Sequence, residues 1–409
     1  MDGFKSIEIQ KYRGVNHLAI DDLSRVNIFL GHNNSGKSTI LESLMLLMGM
    51  SNPDIVQRVN SFRTRNLFSN FNDVRYIFHN LDFNHAPEIQ AQQFDGISRN
   101  LKMNLTYIFD EKENLAQPQI PTSETKVFLN TLEMNFSISS EKETKSYRSS
   151  VTFHQGGVTR KTIAEGYLEK NSASFLSADL MANNTANDLA ELIKRKKKDV
   201  VLERLVKFDD RINAIETIGN EIFIGFEGMG ELLPIGMTGD GLRRYLSIVA
   251  SSANTTNNII LIDEIDNGLH YSAYKKLWES IFALATDTNK QVFITTHSEE
   301  TLRHLYQMLE ENPQYQDAFR LYTIEQTLKK DHQAYKYGYA EFKDACQNEV
   351  ELRSIVQYSL NKYNKTKCKN MFNLFFKEKK DLLYYVLAYF LFLACYKTEI
   401  ALTLPNKAI

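Results

Sequence analysis

Cysteine is scarce in this chain, with three among 409 residues. Cys346, Cys368 and Cys395 all fall late and show no metal-type spacing. A sparse, odd set excludes a disulfide framework and fits a reducing cytosol, so a cytoplasmic location is expected. An excess of either charge is also lacking: 48 Lys and Arg against 50 Asp and Glu leave a net charge of −2. No global basic field marks the chain for nucleic acid or an anionic membrane, so such contact would need a local patch. The opening Met1-Asp2-Gly3-Phe4-Lys5 carries no apolar core of a signal peptide. No internal repeat is visible. One apolar run stands out, Leu382–Tyr396, flanked by lysines at 377, 379, 380 and 397. It is shorter than the ~20 residues that a spanning helix needs. It reads first as a buried or interfacial helix, second as a short membrane anchor and third as an aberrant extension, in a tail of distinct composition over 354–409. Membrane association is therefore not expected.

What is present points to a sizeable core: 43% hydrophobic and 24% charged residues exclude wholesale disorder. The chain's organising stretch is Gly31-His32-Asn33-Asn34-Ser35-Gly36-Lys37-Ser38-Thr39, of the form G-x-x-x-x-G-K-[ST]. Arg25–Leu30 before it is a short apolar run that reads as a buried strand, and Thr39–Leu47 after it is a helix former without Gly or Pro. Strand, glycine loop and helix make a phosphate-cradling loop. Its N–H groups form an anion-binding nest, Lys37 reaches the β- and γ-phosphates, and Ser38 offers a hydroxyl to Mg²⁺.

Elsewhere the pattern alternates between strands and helices. Phe4–Gln10 and Leu18–Ile20 read as a strand pair around Tyr12-Arg13, where a ring or guanidinium is able to stack on a base, a plain surface pair being the alternative. Val74–Phe78 is strand-like. From 91 to 170 alternating segments, such as Met103–Phe109, Thr131–Ile138 and Ser149–Phe153, read as a β-rich insertion. Asn187–Val206 is helical and contains Lys194–Lys198, most often a solvated face and alternatively a patch for DNA or RNA phosphates. Ile222–Phe226 is a strand. A second glycine-rich turn, Gly239-Asp240-Gly241, precedes the helical run Tyr245–Ser252; it lacks a Lys but can offer N–H donors to an anion. Asn258–Ile262 then delivers Asp263 and Glu264 at a strand end, where α/β sheets bind ligands. Asp263 is the expected Mg²⁺ carboxylate, and Glu264 the group that activates water. Gln291–Thr296 ends in the same way at His297, expected to sense the γ-phosphate. Arg320–Ile324 reads as a strand and Glu341–Glu351 as a helix.

With these residues in order, the chain resembles an ABC-type ATPase head of the clade that holds the SMC proteins and the OLD-family ATPases. More narrowly it is similar to the prokaryotic AAA family ATPases of the OLD-like type, often found in anti-phage systems. The resemblance covers 1–353 and rests on Lys11-Tyr12-Arg13-Gly14, Gly31–Thr39, Asp263-Glu264-Ile265-Asp266-Asn267-Gly268-Leu269-His270 and Thr295-Thr296-His297-Ser298. It implies an α/β P-loop NTPase with a mixed sheet, the β-rich insertion over 91–170 and a helical signature region over 175–255. Arg13, Gly31, Asn33, Asn34, Ser35, Gly36, Lys37, Ser38 and Thr39 would then hold ATP. Glu264, Lys37 and His297 would be catalytic, and Ser38 and Asp263 would hold Mg²⁺.

The resemblance also implies a homodimer that sandwiches two ATPs. Gly239, Asp240 and Gly241 of one head would close on the γ-phosphate in the other, and residues 265–270 would touch across the interface. The usual signature serine falls on Gly239, and His79 or Asn80 stands where a Q-loop glutamine is sought. No long heptad coiled coil is present, so this is not a full SMC arm. The late acids Glu341, Asp344, Glu349 and Glu351 form no D-x-D pair of a Toprim nuclease. A nuclease or toxin effector is therefore expected on a separate protein. The activity implied is ATP hydrolysis that controls such an effector in defence. A slow ATP switch that sequesters a partner, or a repair-type ATPase acting on DNA ends, is the alternative.

Overall fold

A computed structural model describes residues 3–63, 71–107, 129–154, 157–177, 181–219, 221–254, 258–327 and 331–353. The chain opens with β1 (Phe4–Tyr12), β2 (Val15–Ile20) and β3 (Val26–Leu30), followed by α1 (Lys37–Met48) and α2 (Asp54–Ser61). Then come β4 (Glu88–Gln93), β5 (Ser98–Tyr107), β6 (Leu129–Ser139), β7 (Thr144–His154), β8 (Gly157–Thr162) and β9 (Ala173–Leu176). Helices α3 (Met181–Lys194) and α4 (Lys198–Phe208) precede β10 (Ile212–Ile218), β11 (Glu221–Phe226) and β12 (Leu233–Pro234). The remainder runs α5 (Asp240–Ala253), β13 (Ile259–Ile262), α6 (Tyr274–Asp287), β14 (Gln291–Thr295), α7 (Glu299–Glu311), β15 (Phe319–Gln326), β16 (His332–Tyr337) and α8 (Tyr339–Gln347).

The fold is α/β with mixed sheets. A six-stranded sheet has the order β16-β15-β3-β14-β13-β9, parallel except for the β15–β16 pair. Its strands β3, β13 and β14 are buried at every position. That is what a sheet covered on both faces demands, and it explains why they read as continuous apolar runs. The β-rich segment does not stand apart: β4–β8 continue the β1–β2 hairpin into one antiparallel seven-stranded sheet of order β2-β1-β4-β5-β6-β7-β8.

Several local expectations change. Val74–Phe78 is not a strand: a 3₁₀ helix spans Phe71–Ile77. Val74, Ile77 and Phe78 are buried while Tyr76 is exposed, a spacing of three and four that suits a helical turn. Tyr12 is neither a stacking platform nor a surface residue. It is fully buried, and burial pushes its phenol up to about 12. The basic run does not lie within one helix: α3 stops at Lys194, Lys196 takes a left-handed φ of 58°, and α4 begins at Lys198. Continuing the helix would stack Lys194 over Lys198, a repulsive spacing. The polar stretch after residue 51 holds α2, and β9 and β16 carry too little pattern to be read in advance. Among the described residues no helix is long and apolar enough to cross a membrane. The apolar run 382–396, Cys368 and Cys395 lie outside the described residues.

Two contacts join the sheets, one at each end of the parallel strands. Gln291, fully buried at the start of β14, accepts from the Phe4 N–H at 2.7 Å and donates to the carbonyls of Phe4 and Ser24 at 2.7 and 2.8 Å. On the other side β16 lies against β2, and the buried His332 sits 3.5 Å from where a Cβ on Gly36 would stand. Burial, and secondarily His79, hold the His332 imidazole below its ordinary pKa of 6.5, with Asp331 opposing.

Replacing Gln291 by Leu takes this partner from the buried N–H and carbonyl of Phe4, while the Ser24 carbonyl keeps its bond from Asn27. Each Phe4 group costs about 1–3 kcal/mol, so we expect a loss of about 3 kcal/mol, read as a lower urea midpoint at unchanged slope. For His332, the unfolded chain takes up a proton at higher pH than the folded one. Its contribution is therefore intact above pH 6.5 and declines as pH falls through the lower folded value. Urea titrations between about pH 7.5 and 5.5 are expected to show the wild type losing stability more steeply than His332→Gln.

Candidate functional site

The glycine loop leaves β3 at Gly31, whose φ is +150°. A Cβ there would stand 2.5 Å from the Ile324 carbonyl oxygen and 2.7 Å from Ser35 Oγ, so only glycine fits. Gly36, at φ +94°, turns the chain into α1. No side chain caps that helix and its first turn holds no acid, so its leading N–H groups are left for an anion. Inside the loop, Ser35 Oγ is buried without a hydrogen-bond partner. Lys37 Nζ folds back to donate to the carbonyls of Gly31 and His32, both at 2.8 Å. Burial lowers its pKa, while the charges of Asp263, Glu264 and Asp266 oppose that shift. Asn33 and Asn34 are exposed on the loop, Asn34 with a left-handed φ of 63°.

Parallel pairing carries three strand ends to this loop. β14 lies between β3 and β13, so the acids after β13 and the polar run after β14 emerge at the same edge as Gly31. Ser38 Oγ donates to Asp263 Oδ1 at 3.0 Å, and Thr295 Oγ1 donates to the same oxygen at 2.5 Å. Thr295 Oγ1 also accepts from the Glu264 N–H at 2.8 Å. One hydroxyl thus orients the first acid's carboxylate and the second acid's backbone. Glu264 has a left-handed φ of 50° and an exposed side chain. Such a conformation in a non-glycine residue costs free energy and is kept where the surroundings enforce it. Thr296 donates to Asp266 Oδ1 at 2.6 Å, and His297 Nε2 lies 3.8 Å from Asp266 Oδ2 with its ring half exposed.

The donor set suits a hard, small cation. Mg²⁺ takes one or two protein oxygens and completes its shell with water and phosphate. Ser38 and Asp263 meet that requirement, whereas no cluster of three or more His, Cys, Asp or Glu able to cage a metal occurs among the described residues. The orphaned Ser35 hydroxyl and the uncapped amides of α1 suit an anion in the same way.

Other candidates stand elsewhere. Arg13 is committed to a buried cluster: it pairs with Glu42 at 2.7 Å and donates to Asn60 at 2.8 Å. Arg63 also pairs with Glu42, at 2.6 Å, and reaches Thr39 Oγ1 at 3.3 Å. His79 contacts the Arg13 carbonyl through Nδ1 at 2.7 Å. Gly239 is exposed at the start of α5, the Asp240 carboxylate is bonded to Arg243, and Gly241 lies against Gly268 and Leu269. In the basic run, Lys198 pairs with Glu216, and Lys194 and Arg195 share Glu191. Sequence reasoning gave Thr295 no role of its own, although it opens the Thr295–Ser298 motif. It also missed Arg244, which donates to the carbonyls of Asp263 and Glu264 at 2.6 and 3.0 Å.

The chain is also similar to known proteins. The family described as "AAA domain, putative AbiEii toxin, Type IV TA system" matches residues 26–303, a span that holds the glycine loop, both acids and His297. A Helicobacter pylori (strain ATCC 700392 / 26695) protein named "ATP/GTP phosphatase" is 28% identical over 335 residues, covering 75% of this chain and 88% of its own length. Among solved structures, the SMC head domain from Thermotoga maritima aligns at 10% identity with TM-score 0.40, over 82% of this chain and 98% of that one. An Smc head domain with an extended coiled coil, bound to the C-terminal domain of ScpA and derived from Pyrococcus furiosus, aligns at 10% identity with TM-score 0.42, over 85% and 99%. The fold assignment rests on the strand order above rather than on these two scores. Since the family match takes in more than half of the 409 residues, the chain belongs to this family of AAA domains, and its site is of the NTPase type.

Proposed function

We propose that this chain is a Mg²⁺-dependent ATPase that dimerises on ATP and controls a separate effector protein in cellular defence. The observation that carries the reading is the Ser38–Asp263 contact beside a desolvated Lys37 and an uncapped helix start. Bound phosphates would draw Lys37 Nζ away from the loop carbonyls, since an anion is a stronger partner for an ammonium than a neutral carbonyl. Ser38 and Asp263 would hold Mg²⁺, which when bound neutralises charge on the phosphates. Glu264, solvent-facing on a fixed backbone, is the general base that accepts the proton of the attacking water. His297, half exposed just after β14, is assigned to sense the γ-phosphate.

The closing contacts are assigned to a second copy. Gly239 and Asp240 are exposed, Gly241 lies against Gly268 and Leu269, and the turn would meet the nucleotide held by the partner head. Its lack of a hydroxyl, and the capture of Asp240 by Arg243, favour the second reading: a slow switch that holds or releases a partner protein. The defence role is supported by the toxin named in the family description, and the ATP/GTP phosphatase relative makes GTP the alternative nucleotide to assay. The proposed organisation keeps an ATPase head over 1–353 and a distinct tail over 354–409, in the cytoplasm. Nucleic-acid contact through Lys194–Lys198 has less support, since three of the five cations have acidic neighbours.

Glu264→Gln is expected to lower turnover by about 10²–10⁴-fold while ATP binding persists, and to accumulate an ATP-dependent dimer in light scattering. Rapid hydrolysis by this variant would sink the base assignment. Ser38→Ala is expected to raise the Mg²⁺ concentration for half-maximal activity by about tenfold or more, measured by Mg²⁺ titration at saturating ATP.

A further inference from the structure

Arg244 is one of the largest fully buried side chains of the described residues, 1% exposed, one turn into α5. Its guanidinium joins three segments. One nitrogen donates to the Ser177 carbonyl just after β9 at 3.0 Å, and the other to the carbonyls of Asp263 and Glu264 at 2.6 and 3.0 Å. A buried arginine is costly, and here desolvation lowers its pKa to about 10 against the opposing charges of Asp263, Asp266 and Glu264. A planar fork of five donors reaches several carbonyls at once, which no other side chain does.

The bonds matter because of what they hold. Glu264 has a left-handed backbone. Its N–H is tied to Thr295 and its carbonyl to Arg244, so its peptide groups are fixed on both sides. Arg244 in turn rides on the helix whose first residues follow the Gly239 turn, and a helix moves as a rigid element over one turn. We infer that Arg244 is a positioning residue that couples the Gly239–Gly241 turn to the backbone of Glu264 in the same chain. A ligand or partner that displaces the turn thereby displaces the carboxylate. This rests on the proposed role of Glu264 as the base. In a dimer, closure of the turn on the partner's nucleotide would set the base for the nucleotide in its own loop.

The test compares Arg244→Lys in two backgrounds of the full chain, wild type and Glu264→Gln, by single-turnover ATP hydrolysis and ATP binding. We expect the wild-type rate to fall at least tenfold while the Kd for ATP changes less than twofold. In Glu264→Gln the same substitution is expected to lower the residual rate less than twofold, because the group being positioned is gone. An equal fold-loss in both backgrounds, a Kd that rises in step with the rate loss, or an unchanged rate would overturn the inference. Should the lysine variant fail to fold by circular dichroism, Arg244→Met, which removes the buried charge, takes its place under the same criteria. The base assignment is read separately, from the two parents. A Glu264→Gln rate equal to wild type would refute that assignment, and the coupling with it.

Discussion

The Asp263 carboxylate accepting from both Ser38 and Thr295 is the contact on which the site depends. It closes a circuit between the ends of β3, β13 and β14. The circuit exists only because those strands pair in parallel, with β14 in the middle. Were β13 directly beside β3, Thr295 would have no place between the loop and the acids. The two hydrogen bonds also keep a partly buried carboxylate supplied with donors. In this sense the protein side of the site is preorganised.

Around that circuit the structure places ionic groups in dry surroundings. Glu42, 1% exposed, is shared by Arg13 and Arg63, and Arg244 is sealed between α5 and the acid-bearing strand end. Buried ion pairs are weak sources of stability, because desolvation offsets most of their attraction. What they provide is geometry: a guanidinium with several fixed acceptors tolerates few arrangements. The Glu42 cluster fixes the first turns of α1 against α2 and the β1–β2 turn. Arg244 fixes the start of α5 against Asp263 and Glu264. Both clusters brace elements that carry candidate site residues.

Much of the site was legible in the letters. A glycine with a positive φ, a lysine and a hydroxyl at fixed spacing describe a local loop, and its geometry depends on few distant residues. Fully buried parallel strands also announce themselves, since both faces demand apolar side chains. Other features were not legible. The turn at 71–77 and the strand-like letters Val74–Phe78 differ only in which neighbour buries them. The break in the basic run follows from the packing of α3 and α4, and β9 and β16 are too short or too polar to show a period.

The sequence by itself determined the chemistry: a phosphate loop, two acids at a strand end, and a histidine at another. These are local patterns whose physical meaning is carried by residue type and spacing. Only the tertiary structure decided how they meet. It placed β14 between the other two strands, paired Arg13 with Glu42, and aimed Arg244 at two carbonyls. Those facts depend on contacts between residues as far apart in the chain as Val26 and Val292, and no local period records them.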